Sequence, residues 1–500
     1  MESKYIGSID QGTTSSRFIL FDKEANIIAS AQKEHKQIMP EPGYVEHDSI
    51  EIIDNVKDLI NKVFDRVNIR ENEVSSIGIT NQRETFVLWN KKTGIPYSNA
   101  IVWQDTRSMD LCREYENKFT KDFFIAKTGL PISTYFSASK LAFLINADSG
   151  LREKINNNEI LFGTMDTWLI WNLTGGIQGG IHVTDVTNAS RTLLMNLETL
   201  NWDQELLDIF GINSNLLPEI LPSFNTDKFG LAKIKDLSIP IGGVLGDQQA
   251  ALFGQTCFTK GELKNTYGTG CFALVNTGEE IKISDAGLLT TLAFQDGDSK
   301  PLYALEGSVA MAGASVQWLR DNLGLIKESS EIEQLASGAE DNGGVYFVPA
   351  FSGLFAPYWR DDARGVIVGL TRYANKHHIA RAVLESTAFQ TKDLLLAMEK
   401  DLGHKIKSIK IDGGMVFNNL LTQFQSDILN TELVIPTINE TTCLGAAFAS
   451  GLTTSFWGSM DELKSIYKVK SKITPKMDEQ EVNQLYNSWE KAITKTFNWV

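Results

Sequence analysis

Cysteine is scarce in this chain: Cys112, Cys257, Cys271 and Cys443 are its only four, and they lie far apart or at spacings that match no zinc or redox pattern. That excludes a disulfide scaffold and a thiolate metal module and leaves reduced thiols in the core as the expectation. No apolar run approaches the ~18 residues of a membrane span, so no membrane insertion is expected. The opening MESKYIGSIDQGTTSS lacks the charged-then-apolar layout of a secretory signal, and the terminal Asn498-Trp499-Val500 is no retention or peroxisomal tripeptide. Cytoplasm is the expected compartment. Positive charge is also short, with 47 Lys and Arg against 62 Asp and Glu and a net charge of -15. A broad nucleic-acid or anionic-membrane surface needs a basic field and is excluded; any anionic ligand must be met by local donors. Missing too are a Gly-Lys pair and the HRD and DFG signatures, which rules out a Walker-type phosphate loop and the protein-kinase plan. His182 and the pair His377-His378 have no metal-ligand partners at useful spacing and read as structural or solvent-facing.

With 42% hydrophobic and 22% charged residues the composition is that of a soluble globular protein. At 500 residues one core is not expected to organise the whole, and two domains of roughly 200 to 250 residues with a cleft between them follow. Tyr5–Ile9 and Phe18–Phe21 read as strands around the turn DQGTTSSR. Asp48-Ser49-Ile50-Glu51 has capping-box spacing ahead of an apolar helical stripe, Ile52, Ile53, Val56, Leu59, Ile60 and Val63. Strands are predicted at Ile77–Thr80, Phe86–Trp89 and Ala100–Trp103. The plan then restarts: Leu263–Thr266 and Phe272–Asn276 flank a second Gly/Thr turn, Tyr267-Gly268-Thr269-Gly270. Helices follow at Ala310–Leu323, His378–Lys400, Asn418–Leu429 and Leu444–Leu452, with strands at Ile406–Ile411 and Leu433–Ile435. Both halves read as mixed α/β. The boundary is expected near Asp247–Gly261, where strand-like Gly242–Leu245 gives way to the small-residue helix QQAALFG, so residues 1–250 and 251–500 are the expected domains. No Pro-rich linker marks it, which suits a hinge rather than a tether.

Several segments could carry chemistry. In DQGTTSSR, converging backbone N–H groups, the hydroxyls of Thr13, Thr14 and Ser15 and the charge of Arg17 suit phosphate, and Asp10 could hold magnesium through water; an ordinary hairpin turn would look the same. The second turn is equally ambiguous alone. Paired at equivalent places in two similar halves, the turns resemble the arrangement by which actin-like ATPases clamp a nucleotide. IDGG at Ile411–Gly414, followed by Asn418, could let a ring or ribose approach the backbone, or could be a strand-to-helix turn with an Asn cap. Asp247 ends a strand and Gln248 begins a helix; phosphoryl transfer to an alcohol needs a carboxylate there, although an Asp at such a junction is often a cap. Arg83, Glu84 and Tyr135 stand on predicted loops, where a solvated ion pair and an amphipathic Tyr are the plain alternatives to polyol binding. Trp103 and Phe272 could wall such a ligand or simply be core aromatics.

A series of segments in order, among them DQGTTSSR, PGYVEHD, GITNQRET, NAIVWQ, HVTDVTNASRT, GDQQAALFGQ, NTYGTGCF and MAGASVQWLRD, resembles the FGGY carbohydrate kinase family through nearly the whole chain. The resemblance implies two actin-like, ribonuclease H-like α/β domains with mixed sheets flanked by helices and an active site in the interdomain cleft. It implies phosphorylation of glycerol by ATP and Mg2+, giving sn-glycerol 3-phosphate. Carried over by position, Thr13, Thr14, Ser15, Arg17, Thr269, Gly313, Gln317, Gly414 and Asn418 would bind nucleotide. Arg83, Glu84, Tyr135, Asp247 and Gln248 would bind the polyol between Trp103 and Phe272, with Asp247 as general base and Asp10 and Asp247 near the metal, through water. A homodimer or homotetramer is the family's common state. Phe143 stands where the family usually has Trp, the Asn225–Ile239 loop lacks the Gly-Gly-Thr and Arg of a fructose bisphosphate site, and no histidine occurs between His182 and His377 where some members are phosphorylated. Both control devices are expected to be absent. The competing expectations are a kinase of another polyol or ketose in the same family, and an actin-like ATPase with no acceptor site.

Overall fold

Apolar alternation through the first residues gives two strands, Tyr5–Gln11 and Ser15–Phe21, paired antiparallel with Asp10 opposite Arg17. The computed structural model describes residues 3–70, 72–351, 353–360 and 362–500. Its first large sheet has six strands in the spatial order Leu231–Ile234, Leu237–Gly246, Val74–Asn81, Tyr5–Gln11, Ser15–Phe21 and Ile27–Glu34. The second has seven, in the order Leu289–Phe294, Leu302–Val309, Cys271–Gly278, Leu263–Tyr267, Ser408–Gly413, Glu432–Pro436 and Val469–Ile473. In each, three antiparallel strands are followed across the sheet by two parallel ones and an antiparallel edge, and the Leu289–Phe294 strand is extra to the second. The two Gly/Thr turns thus occupy matching positions, between the first and second strands of each repeat. A smaller sheet of Glu46–His47, Ala100–Ile101, Phe86–Asn90 and Ile160–Thr164 lies beside the first.

Local chemistry explains where elements start and where expectation and structure part. Asp48 caps the Ser49–Val67 helix, accepting from the backbone N–H of Ile50 at 2.9 Å and Glu51 at 3.2 Å. The box is not completed by Glu51, whose carboxylate instead accepts from the Lys36 backbone at 3.3 Å and so ties the helix to the preceding loop. The expected helix over Ala310–Leu323 forms only over Gly313–Asp321, because the backbone N–H groups of Ala312 and Ala314 are drawn to the Thr269 carbonyl, each at 3.0 Å. The strand expected over Ala100–Trp103 stops at Ile101, and the Trp103 backbone N–H donates to the Thr85 hydroxyl at 3.1 Å.

The halves meet along a seam of close backbone approaches. The Thr441–Thr453 helix lies on the first sheet and on the Asp247–Gly254 helix: a Cβ at Gly78 would stand 2.0 Å from the Ala446 carbonyl, one at Gly445 1.8 Å from the Ala250 carbonyl, and one at Gly254 2.0 Å from the Thr441 carbonyl. Only hydrogen fits such an approach. Next to it a core cluster draws on both halves, with Ile6, Phe21 and Phe253 packed among Leu274, Phe294, Phe448 and Trp457. All four cysteines are buried and none forms a disulfide.

Candidate active site

The Val74–Asn81 strand ends in a tight turn in which Glu84 takes a positive φ of 62°, a conformation a non-Gly residue rarely holds without support. The support is ionic. Arg83, 3% exposed, grips Glu306 with both terminal nitrogens, at 2.5 and 3.1 Å, while Nη1 also donates to Gln249 at 3.3 Å and Nε lies 3.2 Å from Asp247 Oδ1. Arg191 donates through Nε to Glu84 at 2.7 Å and through Nη2 to Glu306 at 3.1 Å. Two guanidinium and two carboxylate groups so form one buried cluster, with Glu306 supplied by the second sheet and the rest by the first half. Burial works against the Glu306 charge, but Arg191 and Arg83 outweigh it and hold the carboxyl down at about 2. Burial raises Glu84 despite the opposition of Arg191 and Arg83. An Arg carries five N–H donors; three of those on Arg83 form hydrogen bonds and Nε–H faces Asp247 as an ion pair, leaving one on Nη2.

Tyr135 stands edge-on to Trp103 with ring centroids 5.6 Å apart, and the Arg191 guanidinium lies 5.7 Å from its ring. Its loop is held from below by the buried Lys140, whose ammonium donates to the Thr134 and Tyr135 carbonyls at 2.7 and 3.0 Å. Burial and the Glu84 charge push the phenol up, so it stays a neutral donor. Trp103 is half-buried, and its Nε1 donates to the Thr13 hydroxyl at 3.0 Å, joining it to the first Gly/Thr turn.

Asp247 opens the Asp247–Gly254 helix at the end of the Leu237–Gly246 strand, and the Gly246 N–H before it is fixed by the Thr187 hydroxyl at 2.9 Å. Its Oδ1 accepts from the Gln248 backbone at 2.7 Å and faces Arg83; Oδ2 forms no hydrogen bond among the described residues. Burial raises this carboxyl against the pull of Arg83 and Lys264. Asp10, at the matching end of the first strand, is pushed up to about 6 by burial, opposed by Arg17 and reinforced by the Asp247 charge. Two carboxylates that repel at strand ends of one sheet are a hard-oxygen donor set of the kind Mg2+ takes through water.

The first turn is closed by Gly12 N–H to the Ser15 carbonyl at 2.9 Å; Thr13 and Ser15 are half-buried and Thr14 is exposed. Arg17 is engaged by Glu440, from the second half, and by Gln32 at 2.9 Å. The second turn closes from Gly268 N–H to the Gly270 carbonyl at 2.8 Å, leaving Gly268 and Thr269 exposed. Gly313 packs under it, a Cβ there falling 2.6 Å from the Gly268 carbonyl. Gln317 is exposed on the Gly313–Asp321 helix, and Gly414 faces open space. The Asn418 side chain accepts from the Leu421 N–H at 2.9 Å, so its oxygen serves as a helix cap. Phe272 is half-buried on the Cys271–Gly278 strand.

Three residues of this arrangement went unassigned in the sequence: Glu306, Arg191 and Lys264. The one local signal for Glu306 is an acid inside the otherwise apolar strand LYALEGSV, and Arg191 stands in the segment HVTDVTNASRT without a stated role. Their partners lie 107 to 223 residues away, and spacing along the chain carries no trace of that pairing. Among the described residues no group of three or more His, Cys, Asp or Glu could hold a metal ion, and no helix is long and apolar enough to cross a membrane.

Residues 5–254 match the model of the N-terminal domain of the FGGY family of carbohydrate kinases, and residues 263–453 that of its C-terminal domain. A protein of Chloroflexus aurantiacus named glycerol kinase is 55% identical over 498 residues, covering 100% of both chains. One of Brucella anthropi with the same name is 55% identical over 499 residues, again covering 100% of both. Among solved structures, the glycerol kinase of Plasmodium falciparum with ADP superimposes with a TM-score of 0.93 at 43% identity, covering 99% of each chain. The gluconate kinase of Lactobacillus acidophilus gives 0.85 at 25% identity, also over 99% of each.

Proposed function

This chain belongs to the FGGY family of carbohydrate kinases, and from that premise we propose that it transfers the γ-phosphoryl group of ATP to glycerol, giving sn-glycerol 3-phosphate and ADP. The observation that carries the choice of a small polyol is the buried Arg83, Glu84, Arg191 and Glu306 cluster beside Asp247, which leaves a few directed groups rather than a broad surface. One free Arg83 N–H donates to a hydroxyl, Glu84 accepts from one, and Trp103, Tyr135 and Phe272 cover the carbon edge. An actin-like ATPase without an acceptor has no use for these groups.

In the reaction the acceptor hydroxyl gives its proton to the free Oδ2 of Asp247 as its oxygen bonds to the γ-phosphorus, and the bond from that phosphorus to the β,γ-bridging oxygen breaks. Thr13, Thr14 and Ser15 on one turn and Thr269 on the other supply donors to the phosphates, with Arg17 adding charge. Gly313, Gln317, Gly414 and Asn418 border the nucleotide, and Gln248 lies beside the acceptor. Asp10 and Asp247 would hold Mg2+ through water; when bound, it offsets the charge of the β- and γ-phosphate oxygens. Family likeness further supports a cytoplasmic enzyme working as a homodimer or homotetramer.

The test is an acceptor panel with ATP and magnesium. Glycerol is expected to give kcat/KM about tenfold or more above dihydroxyacetone, xylulose and gluconate. Equal or faster turnover of a pentulose or of gluconate would reassign the substrate.

A further inference from the structure

Lys264 has no place in the scheme above, yet its ammonium is one of the best-satisfied groups in the cleft. It is completely buried on the Leu263–Tyr267 strand. Its three N–H donors meet three oxygens: Gln248 Oε1 at 2.5 Å, Thr266 Oγ1 at 3.1 Å and the Phe272 carbonyl at 3.1 Å. Gln248 belongs to the helix that begins at Asp247; Thr266 and Phe272 flank the second Gly/Thr turn. Within 4.0 Å no carboxylate pairs with this lysine among the described residues, so ion pairing is not what places it there.

The chemistry of an ammonium settles something that coordinates alone leave ambiguous. A side-chain amide has an oxygen end and a nitrogen end of nearly equal shape, and an ammonium can only donate. The Gln248 atom facing Lys264 is therefore the carbonyl oxygen, and the NH2 must face away. That NH2 forms no hydrogen bond among the described residues, and Gln248 is half-buried in the cleft next to Asp247. We propose that Lys264 is a positioning residue that locks the Gln248 amide with its NH2 toward the acceptor, making Gln248 an obligate donor. An acceptor hydroxyl that gives its hydrogen to a carboxylate keeps lone pairs to fill, and this amide fills one. Lys264 also bonds the strand pair that carries the second turn, so the same contact sets the acceptor group against the phosphate side. The inference rests on the reading of this cleft as a polyol-acceptor site, and its test is separable from that reading because the panel on the unaltered protein is run first and the best polyol found serves as acceptor.

A double-mutant cycle joins Lys264→Met and Gln248→Ala. Each alone is expected to raise the acceptor KM about tenfold, the weight of one directed hydrogen bond, with the KM for ATP unchanged; together they raise it no more than the worse single variant. Lys264→Arg, which keeps a donor toward Oε1, recovers part of the loss. Independent, multiplying effects, or an unchanged acceptor KM in a folded Lys264→Met, overturn the proposal. Should Lys264→Met fail to fold, Gln248→Glu decides with the lysine intact. It preserves shape and the contact to Lys264 but replaces the outward donor by an acceptor, so the acceptor KM must rise at least as far as in Gln248→Ala. Retention of the normal KM overturns the assignment.

Discussion

Asp247 and Glu306 are both acids within reach of Arg83, and their surroundings give them opposite work. Asp247 has a side chain 29% exposed and one oxygen without a partner, the state of a group that is to receive something. Glu306 is fully buried with each oxygen held by guanidinium groups, the state of a group that must never change. Asp247→Asn is therefore expected to lower kcat by about 10²- to 10⁴-fold, the usual weight of a positioned base, with acceptor binding and unfolding free energy nearly preserved. Glu306→Gln leaves two buried guanidinium groups short of a counter-charge and is expected to cost about 3–5 kcal/mol of stability, read by urea unfolding, with acceptor affinity lost as well. The reverse pattern, a stable Glu306→Gln or an unfolding Asp247→Asn, would exchange these roles. The resemblance to the family singled out Asp247 in the sequence. Glu306 was not, because its importance lies in partners contributed by another sheet.

The elements themselves were largely legible. Alternating apolar residues marked the hairpin strands and the apolar stripe marked the Ser49–Val67 helix, and errors fell where tertiary contacts outbid local preference, as at Glu51 and at Ala310–Ala312. What periodicity cannot show is how closely two elements approach. The helix expected at Leu444–Leu452 forms over Thr441–Thr453, and only its packing reveals that Gly445 lets it touch the backbone of the Asp247–Gly254 helix. Gly445→Ala places a methyl carbon against a carbonyl oxygen that belongs to backbone and cannot swing aside. Overpacking of this kind is expected to cost about 1–3 kcal/mol or more. Since the displaced helix carries Asp247, kcat should fall in the folded fraction too. A Gly445→Ala protein with native melting temperature and turnover would mean that the seam is looser than its geometry.

At the scale of the molecule, the doubled sheet was foreseeable from two turns at matching places, while the buried ionisable groups that tune its stability were not. Burial, and then His35, push His47 down to about 3, and burial brings His182 to about 4. An unfolded chain binds protons on these rings below about pH 6.5 that the folded chain refuses, so their contribution is complete above that pH and is lost as pH falls toward the folded values. Asp166, Glu385 and Asp393, all pushed up to about 7 chiefly by burial, act in the opposite sense between about pH 4 and 7. The imidazole share can be isolated: urea unfolding at pH 7.5 and 5 should show a smaller loss on acidification for His47→Gln than for the unaltered chain. Equal losses would remove His47 from the account.

The two halves are also fastened unequally. At one crossing Glu306 reaches Arg83 and Arg191 in full burial, while at another Arg17 meets Glu440, with side chains 25% and 38% exposed. Water and salt weaken the second contact and hardly touch the first. A rotation of one half against the other is thus least costly when it pivots near Glu306 and spreads at Arg17. Such a rotation would work like a clothes-peg, sprung at the buried Glu306 grip and opening at the exposed pair of Arg17 and Glu440.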